Sequence, residues 1–201
     1  KTLGEFDLVV DGMGLHSTLR QHRVDDPTGK QYEGFVLIHG VVNPEESFPP
    51  EMMARFAPFG TLTVPGCGYF LNLQRYGGGR DDNRTSLLYW VPREAADAEA
   101  AEDEIFAELG IRKPTSRAGG IMADEERLGR VKEWLKADMR GVFDPVYEQA
   151  VDALERATVR ASVTHGEESA LRGSAADGDG SSLPLVCIGD SLRNCGLGGG
   201  G

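Results

Sequence analysis

Two short, nearly continuous apolar runs, FDLVV at 6–10 and LPLVCIGDS at 183–191, stand near opposite ends of this chain and are alike in pattern. A strand that is apolar at successive positions is covered on both faces, the condition of a parallel sheet. The residues between them follow other periods. The simplest architecture with this order is a second unit inserted between two strands of a parallel-type sheet.

From residue 31 the pattern becomes that of antiparallel β structure. YEGFVLIHGVV (32–42), GTLTV (60–64), GYFLNLQRY (68–76) and RTSLLYWVP (84–92) are rich in aromatic and β-branched residues, and PGC and GGGRDDN supply turn chemistry between them. PPEMMARFA (49–57) reads as a helix with proline in its first turn. The period then changes. Residues 95–109 are Ala/Glu-rich and helical. ADEERLGRVKEWLKADM (123–139) sets Leu128, Val131, Leu135 and Met139 on one face behind Asp124 as N-cap. DPVYEQAVDALERA (144–157) is expected to form a third helix, capped by Asp144, with Val146, Ala150, Val151 and Leu154 on one stripe. TVRASVTHG (158–166) alternates like a strand, and 167–182 is a polar, glycine-rich loop. The expected fold class is α+β: a mostly antiparallel sheet with helices, inserted between strands of an incomplete Rossmann-type domain.

Composition narrows the function classes. A formal net charge of −11 disfavours nucleic acid as a partner, because an acidic surface repels phosphate. No apolar run is long enough to cross a bilayer. The three cysteines (Cys67, Cys187 and Cys195) form no CxxC pair, and the four histidines no HExxH. The expectation is a cytoplasmic protein with no metal site and no disulfide framework. The chain starts KTLGEF rather than with Met and is read as part of something longer.

Two segments carry a family pattern. DLVVDGMGLHSTLR (7–20) resembles the flavin hydroxylase segment of strand, Gly-Ala-Asp-Gly, then x-x-Ser-x-x-Arg, with Gly14, Ser17 and Arg20 on matching positions. LVCIGDSLRNCGLGGGG (185–201) resembles the later segment of strand, Gly-Asp-Ala-x-His, then a Pro- and Gly-rich turn. Gly189 and Asp190 match the Gly-Asp pair, and Gly198 to Gly201 the turn. YEGFVLIHGVV resembles the first long strand of the family's substrate-binding sheet. The chain is thus similar to FAD-dependent monooxygenases of the aromatic-hydroxylase type.

That resemblance implies a division into residues 1–30 of a flavin domain, a substrate domain at 31–166, and a return to the flavin domain at 167–201. It implies FAD as cofactor, NADH or NADPH as electron donor, and hydroxylation of a small, electron-rich, often aromatic substrate with O₂. The expected cofactor contacts are Gly14, Ser17, Arg20, Gly189, Asp190, Gly198 and Gly199. Asp190 is suited to accept hydrogen bonds from ribityl hydroxyls, and glycine lets the backbone approach a planar ring. No catalytic side chain is assigned, since the flavin carries the hard chemistry. The departures are Met13 for the first motif's aspartate, Arg193 for the second motif's histidine and Gly196 for its proline. No GxGxxG follows a strand here; it is expected before Lys1, and the chain alone is expected to bind FAD poorly and to be inactive.

The expected substrate residues are His39, Phe70, Asn72, Gln74 and Trp90. His39 shares a strand face with Phe35, Leu37 and Val41, where a histidine is either a satisfied core residue or a pocket group. Phe70, Asn72 and Gln74 share a face, matched by Ser86, Leu88 and Trp90; period alone does not choose whether that face meets ligand or solvent. Trp90 is also a natural core residue, Asp190 a natural turn or cap residue, and GLGGGG a possible linker. Two other functions suit the same pattern: a flavin-dependent reductase or dehydrogenase, and a non-catalytic ligand-binding domain. Substrate identity and oligomeric state are not legible.

Overall fold

The computed structural model of the protein describes residues 9–11, 30–56, 61–66, 68–75, 84–115, 120–165 and 185–187. The elements in chain order are β1 (Val9–Asp11), β2 (Lys30–Val42), α1 (Pro44–Ser47), α2 (Pro50–Phe56), β3 (Thr61–Gly66), β4 (Tyr69–Arg75) and β5 (Thr85–Pro92). They continue with α3 (Ala98–Leu109), α4 (Glu125–Met139), a 3₁₀ turn (Pro145–Tyr147), α5 (Glu148–Asp152), β6 (Leu154–His165) and β7 (Leu185–Cys187). The chain divides into two compact units, Lys1–Glu33 with Ser162–Gly201, and Gly34–Ala161.

In the first unit β1 and β7 pair in parallel, with Val9 opposite Leu185, Val10 opposite Val186 and Asp11 opposite Cys187. The two apolar runs from the ends of the sequence are therefore neighbours, as their composition predicts.

The second unit is built on a five-stranded sheet of order β3-β4-β5-β2-β6. Strands β3, β4, β5 and β2 pair antiparallel in that sequence. Because strand side chains alternate between faces, the register sorts the sheet into two surfaces. One carries Val36, Ile38 and Val42 on β2, Leu71 and Leu73 on β4, and Leu87, Tyr89 and Val91 on β5, all buried. Helices α3 and α4 complete this core with Ala101, Ile105, Phe106 and Leu109, and with Leu128, Val131, Leu135 and Met139.

Three ends of the two long helices have a local chemical cause. Asp97 and Asp124 accept from the Ala100 and Arg127 amides, satisfying donors that have no intrahelical partner. Gly110 ends α3 at φ +63°, a conformation that carries no Cβ penalty for glycine. Beyond the helix ends, the Ala161 amide donates to Glu102 on α3, and the Tyr89 hydroxyl to Asp138 on α4, so each of the two long helices is tied to a strand.

The region 144–157 corrects the expected third helix. Asp144 caps only the 3₁₀ turn, through the Val146 amide; α5 ends at Asp152; and Leu154 already belongs to β6. Tyr147, not Val146, is the buried residue of the first turn. The cause is tertiary. Ala157 exchanges both backbone hydrogen bonds with Met122, at 2.8 and 3.0 Å, and Leu154 fills the space above Gly40, where any Cβ would collide with its side chain. Ala150, Val151 and Leu154 are all buried, so helical spacing among core residues persisted across an element boundary. Helix α1 was not anticipated.

Candidate functional site

The other surface of the sheet collects every expected substrate residue. On β2 it carries Phe35, Leu37, His39 and Val41; on β5 Pro92, Trp90, Leu88 and Ser86; on β4 Phe70, Asn72 and Gln74; and on β3 Thr61, Thr63 and Pro65. Phe70 lies directly opposite Trp90, Asn72 opposite Leu88 and opposite Thr63, and His39 opposite Leu88. Period-2 alternation brings these residues together from four strands, and the register sets their order across the sheet.

Phe70 and Trp90 meet edge to face, with centroids 4.9 Å apart and planes at 77°. Trp90 is buried at 3% exposure, while Phe70 is partly open, so the pair offers Phe70 as the accessible ring and Trp90 as its backing. His39 Nε2 and Ser86 Oγ share a hydrogen bond of 3.0 Å. The His39 pKa is lowered, first by burial and then by the Arg156 and Arg160 charges, so the ring is held neutral near pH 7. Asn72 Nδ2 donates to Thr63 Oγ1 at 2.8 Å, while Asn72 Oδ1 is buried with no hydrogen-bond partner. A threonine hydroxyl can donate or accept, so turning the amide over only exchanges which atom is left without a partner. A buried polar atom in that state costs free energy until a ligand or water satisfies it. Gln74 is exposed at the end of the same row.

Chemically this surface is an apolar and aromatic platform with a few polar groups: a neutral imidazole–hydroxyl pair and an amide with unused capacity. Platforms of that composition orient small ligands. Arg156 and Arg160, which help set the state of His39, were not singled out from sequence. The signal was present in the even parity of 156, 158 and 160, but assigning 154–157 to a helix hid it.

The expected cofactor residues Gly14, Ser17, Arg20, Gly189, Asp190, Gly198 and Gly199 lie outside the described residues. The described part of that region is the pair β1/β7. Since these strands run parallel and in register to Asp11 and Cys187, the chain leaves both at the same end of the pair. Ligands of open parallel sheets bind beyond that carboxyl end. The fit to a dinucleotide therefore rests on which end of the pair the two motifs follow, and both follow the carboxyl end. Among the described residues no group of three or more His, Cys, Asp or Glu side chains could hold a metal ion. No described helix is long and apolar enough to cross a membrane.

No family model matches the chain, and no curated protein matches its sequence. Solved structures do match its fold. A salicylate hydroxylase substrate complex superposes with a TM-score of 0.54 at 11% identity, covering 93% of this chain and 39% of that one. A point variant of HpxO from Klebsiella pneumoniae, complexed with FAD, gives 0.51 at 17% identity, covering 92% and 37%. The 2,6-dihydroxypyridine-3-hydroxylase from Arthrobacter nicotinovorans gives 0.50 at 16% identity, covering 92% and 42%. At these identities the likeness is one of fold, and the chain spans well under half the length of the structures it matches. The α+β fold expected from the sequence, with its resemblance to the FAD-dependent aromatic hydroxylases, is borne out at that level.

Proposed function

We propose that this chain is the substrate-sheet portion, with flanking flavin-domain segments, of an FAD-dependent monooxygenase. It would hydroxylate a small, electron-rich organic molecule with electrons from NADH or NADPH. The observation that carries the reading is the parallel pairing of Val9–Asp11 with Leu185–Cys187, two segments separated in sequence by an antiparallel sheet. An insertion of this kind is what the resemblance to the aromatic hydroxylases implies, and it starts both glycine-bearing motifs from one end of a strand pair. Residues 1–30 and 167–201 belong in this reading to the flavin domain, and 31–166 to the substrate domain.

Gly14, Ser17, Arg20, Gly189, Asp190, Gly198 and Gly199 would hold the cofactor. Bound FAD would supply the redox chemistry that activates O₂. The chain's own residues position the substrate. Phe70, backed by Trp90, presents a ring for an aromatic ligand to pack against. Asn72 Oδ1 accepts a hydrogen bond from a ligand N–H or O–H, which resolves its missing partner. The Ser86 hydroxyl, paired with neutral His39, donates to or accepts from a ligand oxygen without placing a new charge on the sheet.

The test uses the full-length protein. Gentle purification should leave it yellow, with the absorbance of bound FAD, and it should consume NADH or NADPH when substrate is present. With isotope-labelled O₂ the label should enter the product. A flavin-free preparation that FAD cannot reconstitute would overturn the assignment, and a flavoprotein that reduces its substrate without incorporating label would be a reductase of the same fold.

A further inference from the structure

We propose that Arg156 and Arg160 make the His39 surface of the sheet selective for anionic ligands, an aromatic carboxylate above all. This rests on the substrate-platform reading and deepens it. Strand β6 lies beside β2 at the sheet edge. Ala157 and Val159 on β6 are buried at 1% and 6% exposure, which directs them into the helix-covered core. Thr158 and Arg160 therefore project from the opposite surface, the one that holds His39. Arg156 is likewise exposed.

Arg55, Arg93, Lys113, Arg127, Arg130, Lys136 and Arg140 each form an ion pair with a carboxylate. Arg156 and Arg160, like Arg75, Arg112 and Lys132, have no ion pair among the described residues, but they stand on the strand that borders His39. Two guanidinium groups without an ion pair thus stand on the edge strand, one strand from Leu37 on β2 and two from Leu88 on β5. Both are near enough to His39 for their charge to be felt there. A guanidinium binds a carboxylate through two parallel hydrogen bonds, and an aromatic ring attached to that carboxylate can reach apolar contact beside it. Exposed charges on an edge strand also discourage pairing with other chains, but that role carries no preference among ligands.

The experiment titrates the isotope-labelled full-length protein with salicylate and with salicylamide, its neutral counterpart of similar shape. The readout is the NMR signals of the Trp90 indole and the His39 ring. Salicylate should shift both and bind about tenfold more tightly than salicylamide, the scale of one charge-assisted hydrogen bond. The double variant R156Q/R160Q should erase that difference, and R160K, which keeps the charge but not the two parallel hydrogen bonds, should keep only part of it. Equal binding of the two ligands, or a preference that survives R156Q/R160Q, overturns the selectivity and leaves the platform standing. If neither ligand moves the Trp90 signal, the selectivity and the platform fall together, whatever FAD binding by the full-length protein shows.

Discussion

The Tyr89 hydroxyl donates to Asp138 Oδ2 over 2.9 Å, joining strand β5 of the sheet to helix α4. Burial raises the Asp138 pKa, opposed by this hydrogen bond and by the Arg93 charge. Burial likewise raises the Tyr89 pKa, with the Asp138 charge adding to it, so the phenol stays protonated and remains the donor. Tyr89→Phe should destabilise the fold by about 1–3 kcal/mol, because a half-buried carboxylate loses its partner. Asp138 also binds its proton more tightly when folded. Stability should therefore fall as pH rises from the ordinary aspartate value of 3.8 through the raised one, and level off above it. Denaturant melts across this range should lose that slope in Asp138→Asn.

His39 gives the opposite slope. Its folded pKa lies below 6.5, so the unfolded chain binds the proton first as pH falls. Stability should decline as pH drops from 6.5 through the lowered value. His39→Gln should remove this component, and Arg160→Gln should move the His39 titration, followed by NMR, back toward 6.5.

Gly40 lacks a Cβ because Leu154 occupies that space. Gly40→Ala should cost about 1–3 kcal/mol through overpacking. The penalty should shrink in a Leu154→Ala background, so that the two changes are non-additive in chemical denaturation.

Leu135 is fully buried in the face that α4 presents to the core. Leu135→Ala should cost about 2–5 kcal/mol, measured by urea unfolding, with the spread set by how far the cavity collapses.

The sequence by itself determined whatever depends on short-range geometry. Alternation put His39 on one face with Leu37, and Phe70 with Asn72 and Gln74, because successive strand side chains point to opposite sides whatever lies around them. Asp97 and Asp124 end their helices through amides only three residues away, and Leu128, Val131, Leu135 and Met139 share a face by helical period alone. Tertiary structure decided what long-range contacts select. Strand register set Phe70 across from Trp90, and β6 pairing with β2 set Arg160 on the His39 surface. The backbone bonds between Met122 and Ala157 drew residues 154–157 out of a helix-like pattern and into a strand. Each of these contacts forms between residues far apart in the chain, where the local pattern leaves two arrangements nearly equal and packing breaks the tie.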